Sequence, residues 1–181
     1  TVDRWSGSQT GSEEVIIPEH IDAVDIYAFN GWDALKTITI SGSLETVDLS
    51  FQNDDSLETV IYGKGITELK GNMSFYGCDS LSEIILPDSL KRITGISLFS
   101  GLPIEEIELP EGLEEISQGL FSESNIREIK LPKGITEIPL YAFDGCTQLE
   151  RVTSDGAISE VGNYAFNGCS SLIEVPDLSG V

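Results

Sequence analysis

Positive charge is what this chain has least of. Against 31 Asp and Glu it carries 10 Lys and Arg and one His, His20, which leaves a formal charge of -21 over 181 residues. A polyanion of that size repels other polyanions, so nucleic acid and anionic membrane surfaces are excluded as natural partners, and basic proteins or divalent cations are favoured. One His and three cysteines do not make a zinc-ligand set. Three cysteines, an odd number, also spell no disulfide framework. No apolar run reaches signal-peptide or membrane-span length, so direct membrane insertion is not expected. The motifs of nucleotide and hydrolytic chemistry are missing: there is no GxSxG, no P-loop and no HExxH, and the GKG at Gly63 to Gly65 reads as a turn. No cofactor is implied. Because the chain begins at Thr1 and not at Met, it is expected to be a processed or excised piece of a longer protein.

What the chain does have is 40% hydrophobic residues in a fixed rhythm. Val15, Ile38, Val60, Ile84, Ile107, Ile129, Val152 and Val175 recur at intervals of 23, 22, 24, 23, 22, 23 and 23 residues. Leu or Ile stands three residues before each from Leu35 onward, and an apolar residue stands two after most, a short alternation that predicts strands with one face buried. A second apolar pair falls in the first half of each unit, as in Leu44/Val47 or Ile135/Ile138, and is also predicted to point inward. Between the halves runs a phenylalanine column, Phe29, Phe51, Phe75, Phe99, Phe121, Phe143 and Phe166, expected to stack as a spine. Gly31, Gly77, Gly101, Gly145 and Gly168 stand two residues after it, where a tight bend is needed. The period falls in the leucine-rich-repeat range. Residues 13–181 are therefore read as one repeat domain, an α/β-type right-handed solenoid of about seven 22–24-residue coils. A parallel sheet is expected on the concave face, with irregular or short helical returns on the convex side. Residues 1–12, rich in Gly, Ser and Thr around Trp5, read as a tail or linker.

Three segments carry a resemblance. AFDGCTQLERV (Ala142 to Val152), AFNGCSSLIEV (Ala165 to Val175) and FYGCDSLSEIILP (Phe75 to Pro87) resemble the treponemal-type, BspA-like leucine-rich repeats. The likeness covers roughly Glu13 to Asp177. It weakens at QNDDSL (Gln52 to Leu57), which lacks the Gly-Cys pair, and in the fourth and fifth repeats, where LPI and ESNI are one residue shorter. The resemblance implies a secreted or cell-surface protein of a host-associated microbe, some relatives being adhesins for host matrix proteins. Its shared motif is structural and brings no functional residue with it.

Function must then be sought in the positions the repeat leaves free. Cys78, Cys146 and Cys169 share one slot with Trp32 and Leu102, which predicts inert packing of small hydrophobes. Cys146 and Cys169 could oxidise only if their Cβ vectors face each other. Outward columns flank the strand core: Glu83, Glu106 and Glu128 are expected to form a like-charge row with Glu108 beside it, and Glu128, Arg151 and Glu174 an alternating one. Another acidic column runs through Glu68, Glu115, Glu137 and Glu160, interrupted by Arg92. Ile61 and Ile85, outward on neighbouring rungs, would add an apolar anchor. Glu83, Glu106, Glu108, Glu128, Ile61 and Ile85 are thus the candidate protein-binding residues of an acidic concave face. The expected function is non-enzymatic extracellular recognition, adhesion or host-protein binding, of a basic or extracellular-matrix partner. The alternative is a structural spacer or stalk within a larger surface protein. Weak Ca2+ binding stays open. So does end-to-end self-association through Leu172, Val175 and Leu178, because arrays need polar terminal caps. Tyr27, Tyr141 and Tyr164, two before the Phe column, are read as core packing or a convex tyrosine ladder in preference to a sugar platform.

Overall fold

A computed structural model describes residues 4–5, 12–179 and 181. Most of the expected tail, residues 1–12, lies outside the described residues. In chain order the strands are β1 (Arg4–Trp5), β2 (Glu14–Ile16), β3 (Ala23–Val24), β4 (Thr37–Ile40), β5 (Thr46–Asp48), β6 (Thr59–Tyr62) and β7 (Glu68–Lys70). They continue with β8 (Glu83–Ile85), β9 (Arg92–Ile93), β10 (Glu128–Leu131), β11 (Glu137–Ile138), β12 (Arg151–Ser154) and β13 (Glu160–Val161). Every pairing is parallel, and apart from β1 with β3 each partner lies one repeat of 22–24 residues away. The period of the sequence is therefore the pitch of a solenoid.

The main sheet follows the expected column. Val15, Ile38, Val60 and Ile84 sit opposite one another across β2-β4-β6-β8, and Ile129 faces Val152 across β10-β12. In β4, Ile38 and Ile40 are buried while Thr37 and Thr39 are half-buried, which is the period-two alternation of a one-faced sheet. Of the irregular or short helical returns expected, the helical alternative is not found. Among the described residues they hold no helix; instead a second line of short parallel strands, β5-β7-β9 and β11-β13, carries the second apolar column. A return such as Pro132 to Ile138 is too short to repay helix nucleation, and Pro and Gly break it further.

Between the two sheets the phenylalanines stack. Neighbouring ring centroids from Phe29 to Phe166 are 5.2–6.0 Å apart, and all but Phe166 are buried. Burying a ring of this size contributes about 2–3 kcal/mol, so the column is a large part of what holds successive coils together. Two residues after each Phe the backbone turns left-handed. The five glycines there have φ of 67 to 77°, with Asn53 (63°) and Glu123 (60°) filling the same register. The bend that the glycine column predicts is present in every coil.

One coil departs from the pattern. Ile107 is buried in its expected column, yet 106–109 form no strand: β8 pairs with β6 alone, and β10 with β12 alone. The ring stack shifts at the same place. Phe99 is tilted 37° to both Phe75 and Phe121, whereas the other neighbouring phenylalanine pairs lie within 4–16° of parallel. This coil is entered through the shortened corner Leu102 to Ile104. The other shortened corner, ESNI, leads into β10, which pairs with β12 alone, so the break in the ladder lies between the two shortened corners.

Candidate protein-binding face

The interrupted rung is where the main face acquires relief. Three shallow grooves converge on 106–108: one against Ser82 to Leu86, one against Arg127 to Lys130, and one running under Asp88, Pro110 and Glu111. Glu83, Glu106, Glu108 and Glu128 are all exposed and all line these grooves. Ile85, 43% exposed, lines the groove on the β8 side. Ile61 stands opposite Ile85 in the β6–β8 register, half-buried and outside the grooves. The structure thus brings five of the six candidate residues to one place and sets the sixth beside it.

Their charges are not equivalent. Glu128 is ion-paired with Arg151, which also reaches Glu174 at 3.5 Å, so the alternating row forms as expected. Glu83, Glu106 and Glu128 do not share one hydrogen-bonded ladder, because the middle rung is unpaired. The cations nearest the grooves are already committed: Lys130 lies 2.6 Å from Asp155, and Arg127 lies 2.5 Å from Glu150. Among the described residues, Glu83, Glu106 and Glu108 form no ion pair, while Glu105 lies in the field of Arg127. Glu105, Glu111 and Asp88 were not singled out by column reasoning. The available signal was regional: from Ile93 to Ile126 the sequence holds seven Glu and no Lys or Arg. Among the described residues no cluster of three or more His, Cys, Asp or Glu is arranged to hold a metal ion.

The cysteine slot is more polar than its apolar members suggest. Each thiol donates to the phenylalanine carbonyl of the preceding coil: Cys78 to Phe51 (3.0 Å), Cys146 to Phe121 (2.9 Å) and Cys169 to Phe143 (3.0 Å). All three cysteines are free. Burial pushes the Cys78 thiol up to about 12 and the Cys169 thiol to about 11, against reactivity at neutral pH. In the degenerate second repeat the slot is held by Asp54, fully buried, which accepts from the Trp32 amide at 2.7 Å through Oδ1 while Oδ2 has no protein partner. Burial pushes its carboxyl up to about 7, against the amides of Trp32 and Gly31, which pull it down. Ser124 fills the slot in another coil.

The repeat pattern, the parallel stacking and the ring column agree with a family model for the BspA type leucine rich repeat region, matched over residues 6–96 and 71–179 with six copies. The chain belongs to the BspA-type leucine-rich repeat family. The leucine rich repeat protein TpLRR of Treponema pallidum superposes with a TM-score of 0.78 at 25% identity, covering 90% of this chain and 79% of the other. A leucine-rich repeat protein of Eubacterium ventriosum superposes with a TM-score of 0.55 at 14% identity, over 91% of this chain and 49% of the other. That second likeness shows the fold alone. Comparison with curated proteins by sequence finds no match. BspA-type membership places the chain among repeat scaffolds with protein-interaction or structural roles.

Proposed function

We propose that this BspA-type chain is a non-enzymatic recognition module, displayed outside the cell, that binds a basic protein partner through the acidic concave face at the interrupted rung. The observation that carries the reading is the coincidence, at 106–108, of a rung outside the strand ladder with carboxylates that form no ion pair among the described residues. A uniformly solvated face needs neither grooves nor concentrated charge. Ile85 and Ile61 supply apolar contact beside it, the usual composition of an interface anchor. Extracellular display and adhesion rest on the habits of the family. A basic protein is favoured over Ca2+, since the carboxylates line open grooves and form no coordinating cluster.

Glutamine replacement of Glu83, Glu106 and Glu108 together keeps side-chain shape and removes three charges. Immobilised chain should capture defined basic matrix proteins at low salt, release them at high salt, and lose that capture in the triple variant. Undiminished capture by the variant would sink the reading. The spacer alternative draws its support from the ring stack, which runs from Phe29 to Phe166 and suits a stiff rod.

A further inference from the structure

The second line of strands ends in two tyrosines that the recognition face does not use. Tyr141 and Tyr164 stack on each other with ring centroids 5.3 Å apart and planes 11° from parallel. Unlike the phenylalanine rings they contribute little to the core, being 40% and 60% exposed. Both also sit in left-handed backbone, with φ of 57 and 59°, a region that disfavours bulky side chains. The turn itself does not require an aromatic: the same register holds Gly119 (φ 64°) in the preceding coil and Ser97 (φ 53°) before that. Met73 (φ 49°) holds the same register as well, so the backbone belongs to the repeat; beyond their contact with each other the two rings add little to packing, which leaves their exposed surface free for a use outside the fold.

The surrounding chemistry indicates what the rings meet. Four residues ahead of each tyrosine stand Glu137 and Glu160, paired in register across β11 and β13, both exposed and neither ion-paired among the described residues. Two like charges on adjacent parallel strands are unfavourable unless a cation joins them. An exposed aromatic surface four residues along the chain from carboxylates without an ion pair suits a group that is itself planar and cationic, and among protein side chains that is arginine. We propose that Tyr141 and Tyr164 form a stacking platform for the guanidinium of an arginine on an extended basic segment of a partner protein, with Glu137 and Glu160 taking a second cation of the same segment. The platform is separate from the interrupted rung of the main sheet, and the two can be tested apart.

The full chain is titrated with three small probes: N-acetyl-arginine amide, N-acetyl-lysine amide and a methyl glucoside. The readout is the tyrosine ring NMR signals, assigned through Tyr141→Asn and Tyr164→Asn, because Asn tolerates left-handed backbone. The arginine probe should shift the Tyr141 and Tyr164 signals and bind about two- to fivefold more tightly than the lysine probe, the range expected for an exposed cation–π contact. Tyr141→Asn should remove the response at Tyr164 while the melting temperature holds or rises. Equal response to lysine and arginine, no response to either, or a response to the glucoside alone would overturn the proposal. The glutamine variant of Glu83, Glu106 and Glu108 should keep the arginine response, which separates this result from the fate of the main-sheet reading.

Discussion

Replacing Asp54 with asparagine should stabilise the protein at pH 8 and leave it nearly unchanged at pH 4. The carboxyl is wholly buried, its Oδ1 holds the Trp32 amide and its Oδ2 has no protein partner. Burial is the largest cause that raises it from 3.8 to about 7; Asp33 and Asp55 add to the rise, and the amides of Trp32 and Gly31 oppose it. The folded state therefore binds this proton more tightly than the unfolded chain does. Stability from it is fully present below pH ~4, falls as the pH climbs, and is gone above pH ~7. At about 1.4 kcal/mol per pH decade the interval corresponds to on the order of 2–4 kcal/mol. The asparagine side chain would keep the acceptor for Trp32 and place a donor where the unpartnered oxygen stood. The matching group one coil on, the Cys78 thiol, donates to Phe51 O, so the new amide is aimed toward Phe29 O. Thermal melts of the wild type and Asp54→Asn, followed by circular dichroism from pH 4 to 8 at constant ionic strength, measure this directly, and the difference between them cancels the other titrating acids. The variant should melt on the order of 5–10 °C higher at pH 8, with the gap closing toward pH 4. A variant that melts lower at pH 8, or a gap that does not change with pH, would refute the reasoning.

Two further predictions concern how coils are held against each other. An Ala at position 42 would set its Cβ 1.4 Å from the Lys64 carbonyl oxygen, whereas an Ala at position 31 meets nothing within 4 Å and is limited only by its φ of +67°. Gly42→Ala should cost roughly 3 kcal/mol or more and Gly31→Ala about 1 kcal/mol in denaturant titrations. Similar losses at the two sites would argue against backbone contact between those coils. Arg151→Ala leaves Glu128 and Glu174 as neighbours without their shared cation, and should destabilise by about 0.5–1 kcal/mol at low salt, with the effect fading in 1 M NaCl.

The sequence announces side-chain columns, and where function or folding depended on those columns it was readable. Val60, Ile84 and Phe99 lie where the period puts them, and the glycine register predicts the bend seen at Gly77. Hydrogen bonding is a different matter. Ile107 keeps its column while its backbone leaves the ladder, because a periodic pattern records which residues face the core and not whether neighbouring amides meet. The written trace is the residue missing from each of the corners Leu102 to Ile104 and Glu123 to Ile126, on either side of the break. Asp54 was hidden for a related reason: it sits three residues after Phe51 in the repeat whose Gly-Cys pair is absent, so its slot appears only once the coils are superposed. The helical returns were expected from the general habit of such repeats, and the short Pro- and Gly-bearing segments that replace them follow from length. Glu83, Glu106 and Glu108 were legible as outward positions. That Glu128 is already neutralised by Arg151 could be anticipated from their alternation, and the grooves between them could not.

The unpaired rung also has a mechanical meaning. Elsewhere each coil is tied to the next by peptide hydrogen bonds along the main sheet, like turns of a spring soldered at every pass. At 106–109 that solder is missing, and the coil is held by Ile107, by the Phe99 ring tilted 37° between its neighbours and by peptide hydrogen bonds at its other corners, such as Phe99 N to Leu120 O and Arg127 N to Glu105 O. Under tension along the axis the main-sheet side should part there first, between a stretch ending at β8 and another beginning at β10, while the other corners of the coil stay bonded. The amides of 106–109 should exchange with solvent ahead of those of Ile84 and Ile129.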